Sequence, residues 1–331
     1  MKIMVYEARP DERADLEKQA ALHGVELSVT DAVPTLENAS LAAGCIGVSI
    51  LGQGCIDAAL LDAYHALGIR YLSTRTIGYD HIDLDHARSI GLRVCSASYA
   101  PNGVADFTVM MILMCLRHYK QALWRGQVND FSLTGLQGRE MKDLTIGIIG
   151  TGRIGAQVAR NLSGFGCRIL AYDLRRNPAV EPQVTYVDFD TLLAQSDVIT
   201  LHMPLLAPNR HIINRESIAK MRDGVVIVNC SRGELADIEA LIEGIETGKI
   251  GALGMDTVEG DEGIIHADHR VDILPNRNWF YLHQFRNVIM TQHMAFYTDA
   301  AVSSMVDCGI GGICQMAAGE SCPTELTGPV Q

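Results

Sequence analysis

Residues 144–155 read LTIGIIGTGRIG, and Asp173 closes the next apolar run, ILAYD, 18 residues after the last glycine. An apolar segment enters Gly150-Thr151-Gly152-Arg153-Ile154-Gly155. Helix-spaced apolar residues follow (Ala156, Val158, Ala159, Leu162), and then an extended apolar segment ends in a carboxylate. This order specifies strand, tight turn, helix and strand. Each glycine answers a separate need. Gly150 takes turn angles closed to other residues, Gly152 keeps a Cβ away from anything approaching the helix N-terminus, and Gly155 lets helix and strand pack closely. A helix N-terminus presents unpaired N–H groups to a pyrophosphate, and an acid at this distance accepts hydrogen bonds from ribose hydroxyls. The segment therefore reads as a dinucleotide turn. Asp173 would repel a 2′-phosphate, so NAD is expected over NADP, with Arg175 and Arg176 nearby to soften the preference.

The 331 residues carry 48% hydrophobic and 20% charged side chains and ten prolines, enough for two globular domains. A formal charge of −12 argues against nucleic acid or an anionic membrane as partner. The longest apolar run, Val109 to Leu116, is too short to cross a bilayer. The opening MKIMVYEARPDERADL has none of the parts of a signal peptide, so a cytoplasmic protein is expected. Nine cysteines, an odd number without a CxxC pair, read as reduced core thiols, and the scattered histidines offer no metal-ligand spacing.

Short apolar runs alternate with helical ones from the start: KIMVYE, a polar helix near Asp11–Leu22, VELSVT, CIGVSIL, RYLSTR and LRVCSA. This describes a first parallel-sheet domain. SYAPNGVAD interrupts it; Asn102 is placed to cap a helix, and Val104–Leu116 is apolar almost all round, as a helix in a core or a dimer interface would be. After Gly155 the alternation resumes through ILAYD, VTYV, VITLHMP, VVIVNCS, ALGMDT and NVIMTQH, a six-strand nucleotide-binding domain. From Thr298 a capped helix, weakened by Gly309, Gly311 and Gly312, is expected to return to the first domain. The expected fold is α/β: a Rossmann domain over residues 102–297 inserted into a flavodoxin-like, doubly wound domain made of 1–101 and 298–331.

Ligands of such sheets gather beyond the strand C-termini. Three of these ends carry NCSRGELAD, MDTVEGDE and TQHMAFYT. They supply Arg232, the acids Asp256, Glu259, Asp261 and Glu262, and His293. Taken singly, a histidine after an apolar strand is ordinarily a packed residue and an acidic turn a solvated one; their joint placement at a cofactor domain's strand ends favours chemistry. Arginine grips a carboxylate through two hydrogen bonds, histidine donates a proton near neutral pH, and a carboxylate orients the imidazole. The set suits hydride reduction of a 2-keto acid.

Segments RTIGYDHID (75–83), ASYAPNGVAD (97–106), GTGRIG (150–155), HMPLLAPN (202–209), NCSRGELAD (229–237), GMD (254–256) and TQHMAFYT (291–298) stand in one order across almost the whole chain. In this the sequence resembles the D-2-hydroxyacid dehydrogenase family, most closely its D-lactate dehydrogenase branch, which includes enzymes of glycopeptide-resistance operons. The resemblance implies NAD as cofactor and a 2-keto/2-hydroxy acid substrate (pyruvate and D-lactate foremost, or a bulkier branched-chain, phenyl or dicarboxylic acid), while the all-round apolar helix Val104–Leu116 suggests a homodimer built around the cofactor domain. The resemblance also implies Arg232 as the substrate-binding arginine, His293 as acid/base and Asp261, which replaces the family's glutamate, as its partner. Glu262 or Glu259 would be substitutes. Arg153, Ile154, Asp173, Met203, Pro204, Asn209, Cys230, Ser231 and Asp256 would contact cofactor alongside Gly150, Gly152 and Gly155. Ile77 and Gly78 would offer N–H groups to the substrate carboxylate, and Tyr99 and Phe296 would line its pocket. A catalytically vestigial NAD-sensing module is the alternative from another class.

Overall fold

The computed structural model describes residues 1–274 and 276–328. Pro275, inside the stretch 263–286, and the last three residues of the expected first domain lie outside the described residues. The chain divides into two compact units, 1–100 with 297–331, and 101–296.

The first unit begins β1 (Lys2–Val5), α1 (Arg13–His23), β2 (Glu26–Val29), β3 (Gly47–Ile50), α2 (Ala58–Ala66), β4 (Tyr71–Thr74), α3 (Leu84–Ser89) and β5 (Arg93–Cys95). The five strands are parallel in the order β2-β1-β3-β4-β5. Its centre is charged. Arg75 and Glu12 are both fully buried and paired, Nε to Oε1 at 3.0 Å, and the guanidinium also donates to Ser49 Oγ and to the Tyr6 carbonyl. Buried Glu7, at φ 55°, accepts the N–H groups of Leu51, Gly52 and Gln53, so a carboxylate closes the turn after β3.

The second unit runs α4 (Asn102–Leu116), α5 (Tyr119–Gln127), β6 (Thr145–Ile149), α6 (Arg153–Ser163), β7 (Arg168–Tyr172), β8 (Thr185–Tyr186), α7 (Phe189–Gln195), β9 (Val198–Leu201), α8 (Arg215–Lys220), β10 (Val225–Asn229), α9 (Ile238–Glu246), β11 (Ile250–Met255), α10 (Arg277–Gln284) and β12 (Val288–Met290). All its strands are parallel, in the order β12-β11-β10-β9-β6-β7-β8. The sheet has seven strands rather than the expected six, because β6 itself joins the six runs that follow Gly155. Chain order reverses between β6 and β9, the crevice where doubly wound sheets bind ligands. Pro101, not Asn102, is the residue before α4; Asn102 is already helical and makes no cap. The apolar character of α4 is largely internal to this unit. Met111 and Cys115 press on Gly254 of β11, where a Cβ would come within 3.3 Å of each.

The last helix, α11 (Asp299–Ala317), is capped by the Thr298 side chain on the Ala301 N–H and belongs to the first unit. Its glycines do not break it. A Cβ on Gly309 would lie 2.8 Å from Arg75 Cγ and one on Gly312 2.7 Å from Cys95 Sγ, so they mark close approach. The helix is long and apolar enough by composition to cross a membrane, but Val302 and Met305 are buried, and Val306, Ile310, Ile313 and Met316 pack in the first unit's core.

Candidate active site

The glycine turn has the expected geometry. Gly150 sits at φ 95°, with its would-be Cβ against the His202 carbonyl. Gly152 precedes α6 with nothing within 4 Å of its would-be Cβ, the open approach an anion needs, and a Cβ on Gly155 would collide with the Gly150 carbonyl. Arg153 and Ile154 form the first turn of α6. Asp173 ends β7 and accepts Thr151 N–H at 2.6 Å and Arg175 N–H at 2.9 Å, which aims its carboxylate along the turn. Arg176 lies over the Tyr186 ring, 5.5 Å from its centroid. An unobstructed helix N-terminus beside a fixed carboxylate fits a dinucleotide.

Beyond β9 the segment 202–209 is a self-fastened loop. The Asn209 amide donates to the Pro204 carbonyl and Met203 sulfur, and its oxygen accepts Leu206 N–H. Asn209 thereby shapes Met203 and Pro204. Burial holds the His202 imidazole down to about 3, so it is neutral. Beyond β10, Ser231 donates to the Met203 carbonyl at 2.6 Å, Cys230 is buried with its thiol pushed up by desolvation, and Arg232 stands half-buried at the head of the next turn. Asn229 braces that turn by donating to the Arg232 carbonyl at 2.7 Å.

Asp256 ends β11, is buried, and accepts three hydrogen bonds from the segment after β12: Thr291 Oγ1 at 2.6 Å, Met294 N–H at 2.9 Å and Ala295 N–H at 2.8 Å. Expected from the sequence to contact cofactor, Asp256 is in the structure the anchor of the His293 segment. His293 sits in the left-handed region at φ 52°, with its ring 6.4 Å from Phe296 and edge-to-face to it. A third ring, His266, joins them, 6.1 Å from His293 and 6.4 Å from Phe296. No sequence spacing signals His266; the long stretch before β12 brings it in.

The acidic loop separates its members. Glu259 accepts from His211 Nε2 at 2.7 Å and Arg210 at 2.9 Å, which commits it elsewhere and removes it as a natural partner for His293. Glu262 is exposed. Asp261 is largely enclosed, its Oδ2 accepting Val258 N–H at 3.1 Å, and burial pushes its carboxyl up to about 6, aided by the charges of Glu262, Glu234 and Asp256. Among the described residues no three His, Cys, Asp or Glu side chains group as a metal site.

In the first unit, the segment after β4 is braced by Thr74, Thr76 and His81: the two threonine hydroxyls lie 2.6 Å apart, Thr76 Oγ1 donates to the Gly78 carbonyl, and His81 Nε2 lies 3.2 Å from Thr74 Oγ1. Ile77 and Gly78 stand in this fixed loop, and Ala97 N–H on the Thr76 carbonyl ties it to the segment that carries Tyr99.

Known proteins match the chain over nearly its whole length. The sequence profile of the D-isomer specific 2-hydroxyacid dehydrogenase NAD-binding domain matches residues 109–295. An aromatic 2-oxoacid reductase of Clostridium sporogenes is 42% identical over 93% of both chains, and the D-lactate dehydrogenase of Escherichia coli is 36% identical over 98% of this chain and 100% of its own. The NAD-complexed D-isomer specific 2-hydroxyacid dehydrogenase of Lactobacillus delbrueckii ssp. bulgaricus superposes with a TM-score of 0.85 at 29% identity, covering 98% and 100% of the two chains. With a dinucleotide turn, an acid ending the second strand and relatives matched end to end, the chain belongs to the NAD-dependent D-2-hydroxyacid dehydrogenases.

Proposed function

We propose that the protein reduces an aryl 2-oxo acid to its D-2-hydroxy acid. NADH, when bound, supplies the hydride that reaches the carbonyl carbon. Arg232 holds the substrate carboxylate and polarises the carbonyl, His293 gives its imidazolium proton to the carbonyl oxygen as the hydride arrives, and Asp261 stabilises the charged ring beforehand. In oxidation the same imidazole takes the hydroxyl proton back. Residues 1–101 with 298–331 form the substrate domain, in which the Ile77 and Gly78 N–H groups bind carboxylate and Tyr99 lines the pocket. The turn at Gly150–Gly155, with Asp173 and the segments of Met203–Asn209 and Cys230–Ser231, holds the cofactor.

The observation that carries the aryl reading is the corner of three rings, in which His266 and His293 each stand edge-to-face to Phe296 and are tilted to one another, an arrangement that suits a further ring. The aromatic 2-oxoacid reductase among the relatives supports it. Pyruvate, the foremost substrate from the sequence, is the second reading, favoured by the D-lactate dehydrogenases. Absorbance at 340 nm across phenylpyruvate, 4-hydroxyphenylpyruvate, 2-oxoisocaproate and pyruvate separates them. Phenylpyruvate is expected to exceed pyruvate in kcat/KM; the reverse order overturns the aryl reading, and no turnover of any 2-oxo acid favours the sensing module.

We further propose a homodimer built on the NAD-binding unit. Trp124, Phe131 and Leu133 are 64%, 79% and 82% exposed within ten residues of chain, an apolar group that a lone subunit would leave in water.

A further inference from the structure

His266 is an exposed histidine in the stretch 263–286 and sits at φ 63°, a backbone conformation that costs a non-glycine residue free energy and persists only where surrounding contacts hold it. Its Nε2 lies 3.2 Å from the carbonyl oxygen of His293. The neighbouring N–H of that same peptide unit, on Met294, donates to Asp256 Oδ1 at 2.9 Å. The peptide between His293 and Met294 is therefore fastened at both polar atoms, its oxygen by an imidazole and its nitrogen by a buried carboxylate. A peptide plane held at both ends cannot rotate, and its orientation fixes ψ of His293. His293 is itself left-handed at φ 52°, a conformation that disfavours a residue with a Cβ, and these two ties help hold the backbone that directs its Cα–Cβ bond.

We propose that His266 is a positioning residue for the acid/base His293, acting through the hydrogen bond from its Nε2–H to the His293 carbonyl. The inference rests on the reading of His293 as the acid/base. A donor at Nε2 is needed, and imidazole supplies it as the Nε2–H tautomer or as imidazolium. The ring contact of 6.1 Å to His293 crowds the same corner but is separable from the hydrogen bond, because a phenyl ring can keep the first without the second.

The test compares H266F, which keeps a ring and removes the donor, with H266Q, which keeps an N–H donor at comparable reach, using the full chain with NADH and phenylpyruvate or pyruvate, whichever turns over. For H266F, kcat should fall about tenfold or more, since displacing a catalytic group by an ångström costs on the order of a hundredfold. KM for NADH should stay within about twofold, and the isotope effect with C4-deuterated NADH should grow as chemistry becomes limiting. H266Q should regain most of kcat. NADH binding by fluorescence verifies that each variant is folded. H266F with kcat within about twofold of the parent, or H266Q as slow as H266F while both bind NADH, overturns the inference. H293A separates the two layers: retention of parental kcat there refutes the acid/base role itself, whereas an inactive H293A beside an unaffected H266F refutes only the positioning role.

Discussion

Replacing Asp261 by asparagine is the most informative single change, because it reads on stability and catalysis with opposite expectations. Burial raises the Asp261 carboxyl from 3.8 to about 6. A carboxyl whose value rises on folding leaves the folded state fully stable below the unfolded value, near 4, and weakens it as pH climbs toward 6 and the charge must be carried inside the protein. About two pH units at about 1.4 kcal/mol each sets a ceiling of about 3 kcal/mol, fully expressed above pH 6 and reduced by the part of the side chain that water still reaches. Asparagine carries no charge at any pH and keeps an oxygen for Val258 N–H. D261N should therefore match the parent only near pH 3 and exceed it in stability by about 1–3 kcal/mol at pH 8, with about a third of that gain already present at pH 4.5. Both tryptophans, Trp124 and Trp279, lie in residues 101–296, so tryptophan fluorescence in urea follows that unit alone. A stability difference that is the same at pH 4.5 and pH 8, or a variant weaker at pH 8, refutes the reasoning. Catalysis should move the other way. Loss of the carboxylate removes support for an imidazolium, so the alkaline fall of the reductive rate should begin at lower pH in D261N and stay in place in E262Q. If only E262Q moves it, Glu262 is the partner.

Cofactor choice follows from Asp173: NADH should exceed NADPH in kcat/KM, and Asp173→Ala should narrow the gap, with equal use of both by the parent counting against the assignment. Arg75→Ala leaves Glu12 charged and buried among the first unit's strands, which should cost about 3–5 kcal/mol, while E12Q/R75M together should cost much less; hydrogen exchange of β1–β5 amides measures both, and a loss under about 1 kcal/mol in R75A would contradict the burial argument. Phe131→Asp with Leu133→Asp should convert a dimer into monomers in sedimentation at micromolar concentration, and a parent that is already monomeric would remove the dimer proposal.

What was legible in the sequence is what local chemistry dictates. Gly150, Gly152, Gly155 and Asp173 act within one strand–turn–helix–strand unit, so their spacing carries their roles. Strand ends bearing Arg232, Asp256 and His293 were visible because polar residues interrupt apolar runs there. Contacts across long sequence separations were not. Asp256 meets Thr291, Met294 and Ala295 more than thirty residues away, and Glu259 turns toward His211, a choice no spacing encodes. His266 arrives through a stretch with no periodic pattern. In α11 intrinsic propensity pointed the wrong way: Gly309 and Gly312 look like helix breakers in isolation, yet the helix runs through them because Arg75 and Cys95 occupy the space a Cβ would take.

The placement of α11 has a consequence for how the chain comes into being. The ribosome finishes β1 to β5 long before it makes the helix that buries Ile3, Val5 and Leu16; close to 200 residues intervene, which at ~5–20 residues per second is about 10–40 s of synthesis. Over that interval residues 101–296 can complete their own sheet, while the earlier strands stand with one apolar face uncovered. The part translated first is thus the last to mature. A nascent chain stalled before residue 299 should hold a protease-resistant 101–296 body behind a cleavable, chaperone-binding N-terminal segment, and release of α11 should close it.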